Sequence, residues 1–261
     1  MSSRESVHKT LLVAFLLCVV CSVLVSGTAV VLKPRQEANR LLDRNKNILS
    51  AAGLFDPAEH ANSDIERLFS QFQPRLVDLE AGELLADEQL ASLGVDLASY
   101  DERALLNDDA WSEAIPADLD TANIKRRVRY PMVYLQGDES NIESIVLPVS
   151  GYGLWGILYG YIALEGDGNT VKGLSFYELK ETPGLGAEVR NPRWTALWPG
   201  KQVYDSSGNV ALRVVKGEAA GPQQIDGLSG ATLTTRGVDN LLQYWLGERG
   251  YGPLLAQLGQ R

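Results

Sequence analysis

The feature that most constrains this chain is an uncharged apolar segment near its N-terminus, which extends from Leu11 to Leu32. A helix needs about 20 apolar residues to cross the hydrocarbon core of a bilayer. The apolar core of a cleavable signal peptide typically has only about 7–15 residues. The sequence therefore predicts a retained, single-pass transmembrane helix over residues 11–32, with a short tail, residues 1–10, in front of it.

The charges around this segment do not fix the side of the membrane on which the rest of the chain lies. Arg4 and Lys9 precede the segment, and five basic residues follow it closely: Lys33, Arg35, Arg40, Arg44 and Lys46. Taken alone, the positive-inside rule predicts a cytoplasmic domain, but long domains are translocated largely regardless of charge. Both orientations stay open at this point.

The composition excludes several classes of function. The formal net charge is −9 at pH 7, which argues against nucleic-acid binding. Both cysteines, Cys18 and Cys21, lie in the apolar segment, and both histidines, His8 and His60, precede the main folded region. We therefore predict no disulfide framework, no metal site and no catalytic residue in that region. Difficult chemistry there would need a bound cofactor.

Residues 33–123 read as a charged juxtamembrane segment followed by an acidic, largely helical region. Within it, Ile65, Leu68, Phe69 and Phe72 recur at the spacing of one face of an amphipathic helix. The pattern then changes close to residue 124, where we place the start of a separate domain.

Residues 124–261 have the pattern of a sheet followed by a helix. Strands are predicted in four β-branched and aromatic runs separated by turn signals, at residues 128–135, 144–149, 154–164 and 171–179. A further strand pair is predicted around the turn Asp205–Asn209, with Val210–Val215 as its second arm. The final helix carries one apolar face made of Val238, Leu241, Leu242 and Trp245. These elements predict an α+β fold with a mostly antiparallel, twisted sheet and flanking helices.

Two glycine-rich loops in this domain could hold a ligand. In the first, residues 181–186, Pro183 favours an extended Thr182, and the glycines present Leu185 as an apolar tip that suits an aromatic ring. A plain Pro-Gly turn is the alternative. The second, residues 226–235, leads into the final helix, where hydroxyl groups can cap the helix and free amides favour a phosphate. An ordinary Ser/Thr N-cap is the alternative there.

The second loop also carries a resemblance to a known family. Asp226–Thr232 (DGLSGAT) resembles the motif in which flavin transferases attach the phosphate of FMN to the last threonine. Five further stretches resemble the C subunits of sodium-translocating NADH:quinone oxidoreductases, namely Asn47–Gly53, Ile124–Arg127, Gly153–Gly156, Glu181–Gly186 and Gln243–Gly247. Together with the N-terminal helix, these stretches extend the resemblance over nearly the whole chain.

The resemblance implies a covalent cofactor and the residues that hold it. Thr232 would carry FMN as a phosphoester. The recognition context around it would consist of Asp226, Ser229, Gly230 and Ala231. The residues near the isoalloxazine ring would be Thr182, Leu185, Gly186, Leu154 and Trp155.

The same resemblance implies an electron-relay subunit of a membrane complex that oxidises NADH, reduces ubiquinone and pumps sodium ions. Its partners would be the other subunits of the complex, a flavin transferase and the inner membrane, with the large domain on the periplasmic side. We expect no nicotinamide fingerprint in this chain, with no G-x-G-x-x-G after a strand, so that NADH oxidation belongs to another subunit. Three alternatives remain: the FMN-bearing G subunit of the ferredoxin-linked electron-transport complex, a membrane-tethered flavin-binding sensor or scaffold, and a cofactor-free adhesion or assembly module.

Overall fold

The computed structural model of the chain describes residues 7–138 and 141–259. The chain divides into two compact units, residues up to Arg44 and Asn45–Arg261. Helix α1, Val7–Ala51, runs through Pro34. In the part of the chain that the structure describes, α1 is the one helix long and apolar enough to cross a membrane by length and composition, with a mean hydropathy of 2.6 over its most apolar window. Its apolar side chains in the predicted membrane segment are exposed to the surroundings, as lipid contact requires.

The globular unit is built on a six-stranded antiparallel sheet. The strands in residues 7–138 and 141–259 are β1 Phe72–Asp78, β2 Glu83–Leu84, β3 Ser112–Ala114, β4 Arg126–Val128, β5 Met132–Asp138, β6 Asn141–Tyr152, β7 Ile157–Glu165, β8 Val171–Glu178, β9 Arg213–Val215 and β10 Gln224–Asp226. The main sheet has the order β2-β1-β5-β6-β7-β8, while β3 pairs with β4 and β9 pairs with β10. The predicted α+β fold with a mostly antiparallel sheet is confirmed.

Helices cover both faces of this sheet. After α1 they are α2 Ile65–Phe69, α3 Asp87–Leu93, α4 Glu102–Leu105, α5 Pro192–Thr195, α6 Thr232–Trp245 and α7 Gly252–Leu258, with short 3-10 turns at Asn62–Asp64 and Gly186–Arg190. The predicted apolar face of the final helix is confirmed: Val238, Leu241 and Leu242 are 0% exposed and Trp245 is 5% exposed. These residues share one core with Leu147 and Val149 of β6.

A second core lies on the opposite face. There, Ile48 and Leu49 from the end of α1 pack with Tyr134, Val146 and Tyr161 of the sheet. The alternation of Val146 with Leu147 between the two cores follows from the two-residue period of a strand. Since both faces of β6 and β7 are covered, the hairpin that joins these strands is held at a fixed position.

The predicted helical face ending at Phe72 is partly wrong. Helix α2 ends at Phe69, and Phe72 instead begins strand β1, where it pairs with Gln136 of β5. Phe72 is still buried, at 5% exposed. Its apolar character therefore predicted its burial correctly, whereas the helical spacing predicted the wrong secondary structure. Pro74 gives the physical reason, because a proline cannot continue a helix interior and favours extended backbone in the residue before it.

The predicted strand pair around residues 205–209 is also only partly correct. The turn is present, since the carboxylate of Asp205 accepts from the amides of Ser207 at 2.8 Å and Asn209 at 3.0 Å. Beyond it, Tyr204 and Val210 form only an isolated bridge. Strand β9 then pairs in parallel with β10, which ends at Asp226 and so delivers the chain directly into the second glycine-rich loop.

Candidate functional site

The N-terminus of α6 is the centre of the candidate site. Its N-cap is Ala231, which makes no side-chain capping hydrogen bond, so the predicted hydroxyl cap is wrong. The Thr235 amide donates to the Ala231 carbonyl at 2.9 Å, the first backbone bond of the helix. The amides of residues 232–234 therefore lack intrahelical partners, as at any helix start. They present donors and the positive end of the helix dipole.

The three threonines of the first helical turn differ in their surroundings. Thr234 is 1% exposed, and its hydroxyl donates to the carboxylate of Glu181 at 2.6 Å. Thr235 is 6% exposed, and its hydroxyl oxygen accepts from the Leu228 amide at 3.0 Å. Thr232 is exposed. Of the three hydroxyls, only that of Thr232 is accessible to a modifying enzyme.

A buried carboxylate joins the loops around this helix start. Glu181, 6% exposed, accepts with Oε1 from the amides of Leu154 at 2.9 Å and Trp155 at 3.1 Å. Its Oε2 accepts from Thr234. The β6–β7 hairpin, the first glycine-rich loop and α6 therefore meet at a single side chain. The predicted site residues do not include Glu181 or Thr234.

The first glycine-rich loop is a tight turn that uses its own amides. The carbonyl of Thr182 accepts from the amides of Leu185 and Ala187, each at 3.1 Å. Gly184 has φ +75°, in the left-handed region that glycine adopts at little cost. With these two amides bonded within the loop, the exposed side chain of Leu185 is the apolar surface that the loop offers a ligand.

Exposed apolar side chains lie on the elements that meet at the start of α6. The exposed fractions are 40% for Leu154, 62% for Trp155, 46% for Leu185 and 51% for Leu233. A Cβ built on Gly230 would lie 3.3 Å from Leu185 Cδ2, so the two glycine-rich loops are in contact. Leu233 is a candidate site residue that was not predicted from the sequence. Its signal was an apolar residue out of phase with the buried face of α6.

The remaining predicted residues of the second loop have different surroundings. Asp226 is half-buried, and its carboxylate accepts from the Ala219 amide at 2.6 Å, so in this structure it closes the connection between β9 and β10. Ser229 is exposed, as is Gly230, whose φ is +77°. Ser229 and Gly230 are therefore accessible in the structure, close to Thr232 in the sequence.

Comparison with known proteins supplies the family. The FMN-binding domain family matches residues 153–247. The C subunit of the Na(+)-translocating NADH-quinone reductase of Pseudomonas aeruginosa is 48% identical over 99% of this chain and 98% of its own length, and that of Yersinia pestis is 43% identical over 98% and 94%. The crystal structure of Shewanella oneidensis NqrC superposes with a TM-score of 0.72 at 34% identity, covering 88% of this chain and 99% of that one.

The chain belongs to the NqrC family, the C subunits of Na(+)-translocating NADH-quinone reductases. The FMN-binding domain match begins at the β6–β7 hairpin and ends just after α6, so it encloses both glycine-rich loops. The predicted domain start at residue 124 stays a prediction.

Within this NqrC fold, the β6–β7 hairpin explains a glycine spacing that otherwise resembles a nicotinamide fingerprint. The expectation that no such spacing follows a strand is wrong, because Gly151, Gly153 and Gly156 match G-x-G-x-x-G at the end of strand β6. They turn the chain back into the antiparallel strand β7, whereas a dinucleotide fingerprint needs a strand-to-helix turn. The spacing therefore forms the hairpin that presents Leu154 and Trp155 instead of a nicotinamide site.

The same hairpin crosses α6 at Gly237. A Cβ on Gly237 would overlap the carbonyl oxygen of Tyr152 and lie 3.0 Å from the Cα of Gly153. Replacing a glycine inside a helix with alanine normally stabilises the helix by about 1 kcal/mol. Here we expect the opposite sign, with Gly237→Ala lowering the free energy of unfolding by about 1–3 kcal/mol because the overlap forces the hairpin away.

Urea unfolding of the full-length chain in detergent measures this change. Arg236→Ala, at the neighbouring exposed position of α6, is the control and should change stability by less than about 0.5 kcal/mol. A Gly237→Ala protein that is more stable than the parent would contradict the close hairpin–helix approach.

Proposed function

We propose that this chain is the electron-relay subunit of a membrane complex that transfers electrons from NADH to quinone and moves sodium ions, with FMN joined through its phosphate to the side chain of Thr232. The relatives, each the C subunit of a Na(+)-translocating NADH-quinone reductase, support the assembly. The FMN-binding domain match supports the cofactor. The other subunits of such a complex are then the partners of this chain.

The observation that carries the proposal is the placement of Thr232. Its exposed side chain stands on the first residue of α6, while the hydroxyls of Thr234 and Thr235 are buried in internal hydrogen bonds. A phosphate joined to Thr232 would lie at a helix N-terminus, where the free amides and the helix dipole favour an anion. Gly230, with its left-handed backbone and no side chain, leaves room for it on the side of the preceding loop.

The residues around Thr232 also fit the ring of FMN. Leu154, Trp155 and Leu185 are exposed apolar side chains from two separate loops. Single exposed apolar residues are ordinary on a protein surface, but a group of them marks a ligand or partner site. Bound FMN would supply the reversible uptake of electrons. The chain contributes the apolar surface, the exposed Thr182 at the edge of the loop and the anion-favouring helix start.

Attachment of the cofactor requires a second enzyme. An isolated threonine hydroxyl is a weak nucleophile unless a neighbouring base activates it. We infer that a flavin transferase recognises the accessible Ser229–Gly230 stretch next to Thr232, with Asp226 shaping the loop from the other end.

We also infer that α1 anchors the chain in the inner membrane with a single pass. The exposed, uncharged apolar surface from Leu11 to Leu32 supports the anchor. By resemblance to the family, the globular unit lies on the periplasmic side, despite the basic residues that follow the segment. One helix supplies too few polar groups within the membrane for an ion pathway, so sodium movement belongs to other subunits.

Peptide mass spectrometry of the full-length chain, purified from cells that contain the complex, tests the linkage. The peptide containing Thr232 should carry the mass of FMN less one water, with fragmentation placing the added mass on Thr232. FMN found on Ser229 or Thr235, or found only as a dissociable molecule, would overturn the proposed linkage.

A further inference from the structure

Glu181 is a buried acidic side chain that accepts hydrogen bonds from three neutral donors. Oε1 accepts two backbone amides, from Leu154 and Trp155, and Oε2 accepts the hydroxyl of Thr234. Among residues 7–138 and 141–259, no lysine or arginine forms an ion pair with it. Burial of a carboxylate is costly unless hydrogen bonds compensate it, and hydrogen bonds to a charged acceptor are the strong ones. The three hydrogen bonds therefore stabilise the buried carboxylate, and they also tie the β6–β7 hairpin and α6 to it.

The surrounding backbone is shaped to this carboxylate. A Cβ on Gly153 would lie 2.5 Å from Oε1. A Cβ on Gly186 would overlap Oε2 and lie 2.5 Å from Oγ1 of Thr234. Real Cβ atoms do not approach other atoms so closely, so alanine at either position would displace the carboxylate. Two glycines from different loops thus leave the space that Glu181 fills.

Glu181 binds the backbone of residues whose apolar side chains are exposed at the candidate site. It binds the backbone of Leu154 and Trp155 themselves, and it starts the loop whose tip is Leu185. On α6 it binds Thr234, two residues after Thr232. One carboxylate therefore fixes the distance between the apolar side chains and the threonine that carries the phosphate in the proposed function.

We propose that Glu181 is the positioning residue of the flavin site, which holds the β6–β7 hairpin and the first glycine-rich loop against α6, and whose buried negative charge lowers the reduction potential of the flavin. This inference rests on the proposed function, since it assigns Glu181 a role toward FMN on Thr232. The potential falls because adding an electron beside a buried negative charge is unfavourable, and the low polarity of the interior screens that repulsion weakly.

Two substitutions separate the two roles. In Glu181→Gln, the amide oxygen can still accept from Leu154 and Trp155, and the amide nitrogen can donate to the hydroxyl oxygen of Thr234, so the geometry is kept while the charge is lost. In Glu181→Ala, both the geometry and the charge are lost. Thr234→Val removes only the contact to α6, and it gives a third test if Glu181→Ala folds poorly.

The first measurement is amide hydrogen exchange at Leu154 and Trp155, made on full-length chains that also carry Thr232→Ala, so that no covalent flavin is involved. Glu181→Ala should speed exchange of these two amides by at least about tenfold, as expected for the loss of a charged acceptor. Glu181→Gln should change it much less. Unchanged exchange in Glu181→Ala would overturn the positioning role, whatever the state of the proposed function.

The second measurement is made on chains with Thr232 intact. The flavin of Glu181→Ala should lose most of its visible circular dichroism and gain fluorescence, because the ring is no longer held in one position. Glu181→Gln should keep both signals near those of the parent, while its midpoint potential becomes more positive. A parent-like potential in Glu181→Gln would overturn the electrostatic role.

Asp239→Ala is the matched control. Asp239 is also a buried carboxylate, 7% exposed, and it lies on the same helix, but its partners are Arg213 and the Val214 amide of β9. This variant should lose thermal stability without changing the flavin signals. Equal flavin effects in Asp239→Ala and Glu181→Ala would reduce Glu181 to a structural residue. A parent chain without FMN on Thr232 would instead overturn the proposed function.

Discussion

Replacing Thr232 with alanine should remove covalent FMN from the chain completely while leaving the domain folded. The exposed hydroxyl is the attachment point in the proposed function, and the neighbouring hydroxyls of Thr234 and Thr235 are buried in hydrogen bonds. Alanine is also a good helix former at an exposed position of the first turn, so the free energy of unfolding should change by less than about 0.5 kcal/mol. Flavin fluorescence of the denatured chain on a gel measures the loss.

The matched control for this prediction is Ser229→Ala, which removes an exposed hydroxyl from the same loop. It should keep the flavin on the chain, with slower attachment than in the parent because the inferred transferase recognises the Ser229–Gly230 stretch. In membranes, the complex containing Thr232→Ala should lose NADH-dependent quinone reduction and still oxidise NADH with an artificial acceptor at the subunit that binds NADH. Fluorescence retained on the Thr232→Ala chain, or a chain that fails to fold, would contradict the argument from exposure.

The sequence correctly predicted a helix start at the second glycine-rich loop because a helix start depends on local pattern, whereas the attachment of FMN to Thr232 stays a prediction. A helix start follows from the small residues ahead of an amphipathic stripe, and the motif itself comes from the resemblance. The sequence could not identify Glu181, because its partners lie 26, 27 and 53 positions away along the chain. Contacts of that range depend on how α6 docks on the β6–β7 hairpin, which no local periodicity specifies.

Strand β1 was not predicted from the sequence, for a different physical reason. Its sequence, FQPRLVD, contains a proline, a residue that is normally absent from the interior of a sheet. In the structure Pro74 lies opposite Tyr134 of β5, whereas the short strand β2 pairs only with Val77 and Asp78. Pro74 therefore occupies a stretch of β1 that has a strand neighbour on one side alone, and its missing N–H leaves no ladder bond unmade.

The second large effect is expected for Trp245→Ala, which tests whether α6 is seated on the sheet as described. Trp245 is 5% exposed, stacks on Tyr251 with 5.4 Å between ring centroids, and donates from Nε1 to the Ser150 carbonyl at 2.7 Å. Truncation of a buried tryptophan costs about 3–5 kcal/mol, and it also leaves the Ser150 carbonyl without its donor. For a unit of this size the midpoint of thermal unfolding should fall by roughly 6–20 °C.

Trp155→Ala provides the comparison that gives this result its meaning. Trp155 is 62% exposed, and only its backbone amide is bound to Glu181, so the substitution should change stability by less than about 0.5 kcal/mol. Its effect should instead appear in the flavin, as a change in visible circular dichroism and fluorescence. These two results would assign different roles to the two tryptophans: Trp245 holds the helix on the sheet, and Trp155 contacts the cofactor. Equal destabilisation by both substitutions would mean that the hairpin is packed into the core, and the assignment of its exposed face to the flavin would be wrong.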